Sequence, residues 1–370
     1  MPEPTSGEGL DLDDIPPDPP VHHAEQALLG ALLLDPHRLK TIGPLAPEHF
    51  ASPAHAATFA AMTGLTPPAP AVHAREPVWI TAVHTLARER APGLQPAYLH
   101  ILVSRCPVPE HAPAYARMVR EDHARRTLGE HAGRLAQLAT DRAGPSPVSA
   151  ALAAADTLTR HLEDLSRRFA PHPGSLPRTP LPPEPVREAG DDVLAEERFL
   201  LASATAHPGC TARMRWLLPE DLIVPQHAAL YHCITALARR GAPVDPVTVL
   251  WEAQRHGVLT QHTDPAHVLG LIAVSAGHPD HWGEKVLERT LLHQAHCAAV
   301  RVRALADDPV NSPHQLVTGS RRALASLSAV RARLDQATRP TAAPTLPSAV
   351  APRAGPALRT GTSPAASTLR

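Results

Sequence analysis

The stretch "VHHAEQALLGALLLDPHRL" (Val21–Leu39) decides how the chain is read. Ala24, Ala27, Leu28, Ala31 and Leu32 recur at the three- and four-residue spacing of one helical face. Leu29 and Leu33 make a second face apolar, so this helix is expected at the centre of a packed unit. Asp35-Pro36 ends it, because proline cannot continue a helix. The apolar run Ala27–Leu34 falls far short of the roughly 20 residues that span a bilayer. Nor does the acidic start "MPEPTSGEGLDLDDIPPDPP" have the apolar centre of a signal peptide. The expectation is a soluble, cytoplasmic chain with no membrane partner.

Composition narrows the class. A formal charge of -1 argues against a coat for nonspecific duplex DNA, which needs net basic surface. The 43 prolines must gather in linkers or at element ends. Alanine and leucine, which favour helix, fill most of the rest. Cys106, Cys210, Cys233 and Cys297 are widely spread and form no CxxC pair, so neither a disulfide framework nor a zinc ribbon is indicated.

The chain repeats itself. "LAPEHFASPAHAATF" (Leu45–Phe59) matches "LLPEDLIVPQHAALY" (Leu217–Tyr231) at a constant offset, with Leu45, Pro47, Glu48, Pro53, His55, Ala56 and Ala57 recurring. Ahead of it Ala24-Glu25 answers Ala195-Glu196, which sets Arg198 at the place of Ala27. Behind it, residues 115–141 answer residues 282–308. A duplicated helical unit is the simplest account. Pro53 and Pro225 suit the first turn of a helix. Asp245 is a candidate N-cap for another, whereas residues 66–78 read as a longer, looser loop.

Each unit closes on two long helices, over about 111–140 and 146–168, and over about 280–306 and 312–336. "DRAGPSP" and "DDPVNSP" split the two pairs, and turns this short make each pair antiparallel. A 25-residue helix is about 38 Å long, and a 100-residue globule has a radius of gyration near 13 Å. The hairpins should therefore project. Leu128, Leu135 and Leu138 can face the second helix of their own hairpin, while Tyr115, Met118 and Val119 lie on a partly different face. A projecting hairpin with two apolar sides wants another hairpin.

The fold class expected is all-α. Residues 1–20 are an acidic disordered segment. A first helical unit over 21–168 has its bundle at 21–107 and its hairpin at 111–168. A Pro-rich linker, 169–189, leads to a second unit over 190–336, with bundle 190–277 and hairpin 280–336. A disordered tail, 337–370, follows.

"AEQALLGALLLD" (Ala24–Asp35), "LAPEHFASPAH" (Leu45–His55) with Phe59, "GAPVDPVTV" (Gly241–Val249) and "YARMVRE" (Tyr115–Glu121) stand in this chain as they do in a known family. Together they resemble the N-terminal domain of DnaB-type replicative DNA helicases, over 22–168 and more weakly over 190–336. The resemblance implies a small helical bundle followed by a hairpin. It also implies the role of a collar that pairs through its hairpins in a hexameric ring and offers a docking surface to primase or loaders. In that family unwinding belongs to a separate RecA-like motor. Such a motor needs a Gly-rich phosphate loop with a lysine. The only lysines here, Lys40 in "HRLKTIG" and Lys285 in "HWGEKVL", follow no such loop.

The expectation is a noncatalytic, replication-associated scaffold with no cofactor and no metal. It would self-associate or dock on the helicase or on primase. The contact residues expected are Tyr115, Met118, Val119, Arg120, Arg125 and Arg126 on the first hairpin, with Trp282 and Val286 at the matching part of the second. Trp251 and Trp282 are read as core or interface anchors. An alternative is a DNA-binding accessory using the arginine-rich hairpin and tail, although aromatics to stack bases are scarce there. His293, His296 and Cys297 fall within one helical turn, so two or three could face one ion, but no HExxH frame exists and no nearby carboxylate is expected to complete a metal site. His55 and His227 are expected to be buried and bonded to backbone carbonyls. No GxSxG elbow frames a nucleophile.

Overall fold

The computed structural model describes residues 18–141, 144–170, 174, 176–259, 263–273 and 277–339. Among the described residues there are fourteen α-helices and no strand. The segment 1–17 and nearly all of the expected tail lie outside the described residues. Unit one runs α1 (Pro20–Leu34), α2 (Pro53–Gly64), α3 (Pro70–His73), α4 (Val78–Ala87) and α5 (Pro96–Ser104), then the long α6 (Ala112–Thr140) and α7 (Pro147–Arg168). Unit two runs α8 (Asp191–Ala206), α9 (Pro208–Thr211), α10 (Pro225–Arg239), α11 (Pro246–Arg255) and α12 (Pro265–Ala273), then α13 (Pro279–Asp307) and α14 (Pro313–Ala337). The short α3 stands inside the stretch expected as a loose loop.

Eleven of these fourteen helices begin on a proline, so proline here marks helix starts as well as linkers. Asp245 caps α11, its Oδ1 accepting from the backbone N–H groups of Val247 at 2.8 Å and Thr248 at 3.0 Å. Helix α1 is buried on nearly every side, with Leu28, Leu29, Ala31 and Leu32 fully enclosed. Gly30 lets α5 cross it closely. A Cβ there would lie inside contact distance of the Leu102 carbonyl oxygen and 2.9 Å from Cys106 Cβ.

Burial shows the repeat more sharply than identity does. Leu28, Leu29, Gly30 and Leu32 of α1 are buried, as are Leu200, Leu201, Ala202 and Ala204 of α8. That places Glu25 opposite Glu197, one residue later than the pairing with Glu196 expected from identity. Ala27 is therefore answered by Phe199, and Arg198 by Gln26. In the hairpins the expected register holds: Ala116, Val119, Leu128 and Leu135 are buried on α6, and Gly283, Val286, Ala295 and Val302 on α13.

The two hairpins do not project unpartnered. Helices α6 and α13 lie against each other in opposite directions. Gly129 approaches Ala306 and Arg303, and Gly133 approaches Arg303. Arg125 reaches Asp308 and Asn311 at the far end of α13. Helices α7 and α14 also pack antiparallel, with Arg331 on Asp156 and Arg321 Nη2 donating to Ser166 Oγ at 3.0 Å. One continuous core joins Leu128, Leu135, Leu158 and Leu162 of the first hairpin to Val302, Leu316, Leu327 and the bundle of unit two. The bundle of unit one keeps its own core around Leu28, Phe59, Trp79 and Val119. The apolar faces of the hairpins therefore do not await another copy: Leu128 and Leu135 join the core shared with the other hairpin of the same chain, while Tyr115 and Val119 pack on the bundle of their own unit. The physical reason is stoichiometric: a linked second unit is present at far higher effective concentration than any free one.

The Pro-rich linker differs from the disordered spacer that its composition predicts. Over residues 176–189 it runs along unit two without helix or strand. Thr179 Oγ1 donates to Asp308 Oδ2 at 2.6 Å and accepts from Asn311 Nδ2 at 2.6 Å. Gln315 donates to the Leu176 carbonyl at 3.0 Å. Proline-rich chain is already extended, so docking it orders few residues anew.

Candidate functional site

The residues expected to meet a partner are mostly used inside the chain. Val119 and Val286 are fully buried, in the core of unit one and in the joined core respectively. Tyr115 is half-buried against the core of unit one. Arg120 donates to the Ile42 carbonyl at 2.8 Å, and Arg126 donates to Asp122 at 2.8 Å and to the His49 carbonyl at 2.8 Å. Arg125 clamps the turn between α13 and α14, donating to the carbonyls of Asp308, Pro309 and Asn311. Trp282 is half-buried and packs on Phe199 with ring centroids 4.9 Å apart. Met118 alone of the eight stays an exposed apolar group, at 46 %.

The exposed anchor lies elsewhere. On α11, Val247 is 68 % and Trp251 65 % exposed, one helical turn apart on one face. Of the two roles that the sequence allows Trp251, core or interface, this exposure rules out the core. Tryptophan is among the residue types that most often anchor protein interfaces.

The polar interior is duplicated with the fold. The Glu25 carboxylate accepts from the backbone N–H groups of Ala51 and Ser52, and lies 2.6 Å from His55 Nδ1. The Glu197 carboxylate accepts from the N–H groups of Ile223 and Val224, and lies 2.8 Å from His227 Nδ1. Each network ties the first helix of its unit to the turn that leads into α2 or α10. Both histidines are buried as expected, but they bond a carboxylate rather than a carbonyl. A buried carboxylate holding several N–H donors is a structural tie, since removing it strands those donors. His55 Nε2 also meets the Tyr98 hydroxyl at 2.6 Å, so both ring nitrogens are engaged.

Where the first hairpin meets its bundle, a cleft of about 430 Å³ is lined by Arg117, Arg120 and Arg168 with His49, His123 and His161. Burial, followed by the neighbouring His49 and Arg126, pushes the His123 imidazole down to about 4. Burial, then His131, pushes His161 down to about 4. Both rings are neutral near pH 7, and the positive charge of the cleft rests on its arginines.

Among the described residues, three sets of His, Cys and carboxylate ligand atoms converge: His22, Glu25 and His55; Glu184, His293 and Cys297; and Cys210, His278 and Asp280. The second corrects the expectation that no carboxylate stands near His293 and Cys297. Glu184 comes from the linker, 113 residues away from Cys297 in the chain. His296 is not part of that set. No sequence pattern could have supplied Glu184, because only the docked path of the linker brings it there.

No helix among the described residues is long and apolar enough to cross a membrane. A family model described as the DnaB-like helicase N terminal domain matches the chain twice, over residues 18–121 and 192–286. Together these stretches make up more than half of the 370 residues. A search of the curated proteins finds no match.

Proposed function

From a chain that belongs to the DnaB-like helicase N-terminal domain family and carries that domain twice, we propose a noncatalytic replication scaffold: a covalently linked pair of collar domains that docks on the replicative helicase or on primase. The observation that supports it is the antiparallel pairing of α6 with α13, equivalent helices of the two units. Equivalent elements packed in opposite directions are what a two-fold pair of copies presents. The association between copies that the resemblance implies is here made between the two halves of one chain. Both family matches end between two and three turns into the long helices, at residues 121 and 286.

The partner-facing surface in this reading is the bundle rather than the hairpin. Trp251 on α11, with Val247 one turn away, is the exposed anchor that a partner would cover. The competing reading, DNA binding by the arginine-rich hairpin, loses support because Arg120, Arg125 and Arg126 are held on backbone carbonyls and on Asp122. Light scattering on the purified full chain should give a monomer near 39.4 kDa. A pull-down should then retain the helicase or primase of the same source, and Trp251→Ala should reduce the capture about tenfold or more, the effect of losing a hot-spot anchor. Equal capture by Trp251→Ala, or no capture of either protein, would count against the reading.

A further inference from the structure

We infer that Glu184, His293 and Cys297 form a binding site for a zinc-type divalent cation that fastens the interdomain linker to α13. The inference is independent of the collar reading.

The geometry carries it. Cys297 Sγ lies 3.4 Å from His293 Nε2 and 3.8 Å from Glu184 Oε1, and His293 Nε2 lies 3.5 Å from Glu184 Oε1. Zinc holds sulfur at about 2.3 Å and nitrogen or oxygen at about 2.0–2.2 Å, so the edges of its tetrahedron are about 3.3–3.6 Å. Two of the three separations fall in that range and the third is within a few tenths of an ångström. As a hydrogen bond the 3.5 Å contact between His293 and Glu184 is long, since a histidine–carboxylate bond has its optimum near 2.7–3.2 Å. One cation satisfies all three groups better than their mutual contacts do.

The elements fix the site from two directions. His293 and Cys297 are four residues apart on α13, so they share a face of a rigid helix. Glu184 arrives on the docked linker, held on either side by Thr179 on Asp308 and by Arg187 near the carbonyls of Glu220 and Asp221. Beside the trio is a cavity of about 260 Å³ lined by His293, His296, Arg187 and Arg289. His296 Nδ1 is buried there without a hydrogen-bond partner. Of the trio only His293 lines that cavity, and the ion would enter from the solvent side, where Glu184 is exposed.

The donor set selects the ion class. One thiolate, one imidazole and one carboxylate suit a borderline cation such as Zn²⁺ over Mg²⁺ or Ca²⁺, which prefer all-oxygen shells. Burial raises the Cys297 thiol and lowers the His293 imidazole, so the resting site holds a thiol and a neutral ring. Binding displaces the thiol proton to solvent, and the thiolate and carboxylate together balance the two charges of the metal. No electron is transferred. The other two sets fit less well. Glu25 and His55 are fully engaged in the internal network. Cys210 has the Arg213 guanidinium 3.3 Å away, and Asp280 already holds His278 Nδ1 at 2.7 Å.

The test uses the untagged full chain, stripped with a chelator under reducing conditions and titrated with Co²⁺ and then Zn²⁺. The expected result is one equivalent of Co²⁺ with a thiolate-to-metal absorption band in the near ultraviolet, displaced by Zn²⁺. Zn²⁺ should also slow proteolysis of the linker over 176–190. Cys297→Ser should abolish the band, Glu184→Gln should weaken binding about tenfold or more, and Cys210→Ser should change neither. Because Cys297 is buried, Glu184→Gln on the half-exposed linker is the variant that cannot fail by misfolding the helix core. No thiolate band in the parent chain, a band that survives Cys297→Ser, or a band lost in Cys210→Ser would overturn the inference.

Discussion

Replacing Gly30 by alanine should destabilise unit one, although alanine is the better helix former. In a helix interior the exchange gains roughly 1 kcal/mol from backbone entropy. Here the new Cβ would meet the Leu102 carbonyl oxygen inside contact distance, and Cys106 Cβ at 2.9 Å. The obstacle is the backbone of α5, which cannot move aside as a flexible side chain can. Overpacking of this kind costs about 1–3 kcal/mol, and the rigid obstacle puts it at the upper end or beyond. The net loss expected is about 2 kcal/mol, or roughly 4–8 °C in midpoint for a unit of about 150 residues. Urea unfolding followed by far-ultraviolet circular dichroism measures it, with an unchanged m-value as the sign that only stability has moved. Gly129→Ala is the matched control. Its Cβ would sit 3.7 Å from Ala306 Cβ, an ordinary contact, so that variant should be more stable by about 0.5–1 kcal/mol. In unit two the corresponding position is already Ala202, buried at 2 %, and Ala202→Gly should lose about 1 kcal/mol. A Gly30→Ala protein as stable as the parent would refute the close crossing of α1 and α5.

Glu25→Ala and Glu197→Ala should each cost about 3–5 kcal/mol in equilibrium unfolding, because each strands two backbone N–H groups and a buried imidazole, while the glutamine variants should lose less. Arg125→Ala should cost about 1–3 kcal/mol and raise hydrogen exchange in the α13–α14 turn, whose three carbonyls it holds. His123 and His161 are held near pKa 4 in the folded chain against 6.5 for a free imidazole, so the unfolded chain binds more protons between those values. Their contribution is fully present above pH 6.5 and is lost as pH falls towards 4. Discounted for partial exposure, it amounts to about 1–2 kcal/mol each. Urea midpoints at pH 7.5 and 5 should differ accordingly, and His161→Gln should shrink the difference.

Much of this fold is legible in the residues. The offset between Leu45–Phe59 and Leu217–Tyr231 announces the duplication, and the prolines mark where helices begin. The apolar register of α6 and α13 can be read directly from Val119 against Val286. The first helix is harder, because Glu196 and Glu197 are adjacent and identity, through Ala24-Glu25 and Ala195-Glu196, selects the wrong one. Geometry chooses: Glu197 is buried on backbone N–H groups, while Glu196 faces Arg289. The contact residues are harder still. An apolar face on a hairpin shows that something must cover it, and carries no sign of whether the cover is another chain or a later segment of the same one. The same blindness applies to Glu184, whose neighbours are set by where a docked linker runs. Trp251 stands out in the residues as large and apolar, yet only the packing of α11 shows that it faces outward.

Everything said of the collar pair depends on the two hairpins of one chain packing on each other. Gly129→Cys combined with Ala306→Cys probes that contact, because a Cβ at position 129 would stand 3.7 Å from Ala306 Cβ, close to the mean of about 3.8 Å in disulfides. Mild oxidation at dilute concentration, read by peptide mass mapping and nonreducing electrophoresis, should give an internal 129–306 bridge in a protein that stays monomeric. A bridge found only between chains, or none at all while both thiols remain reactive, would contradict the pairing.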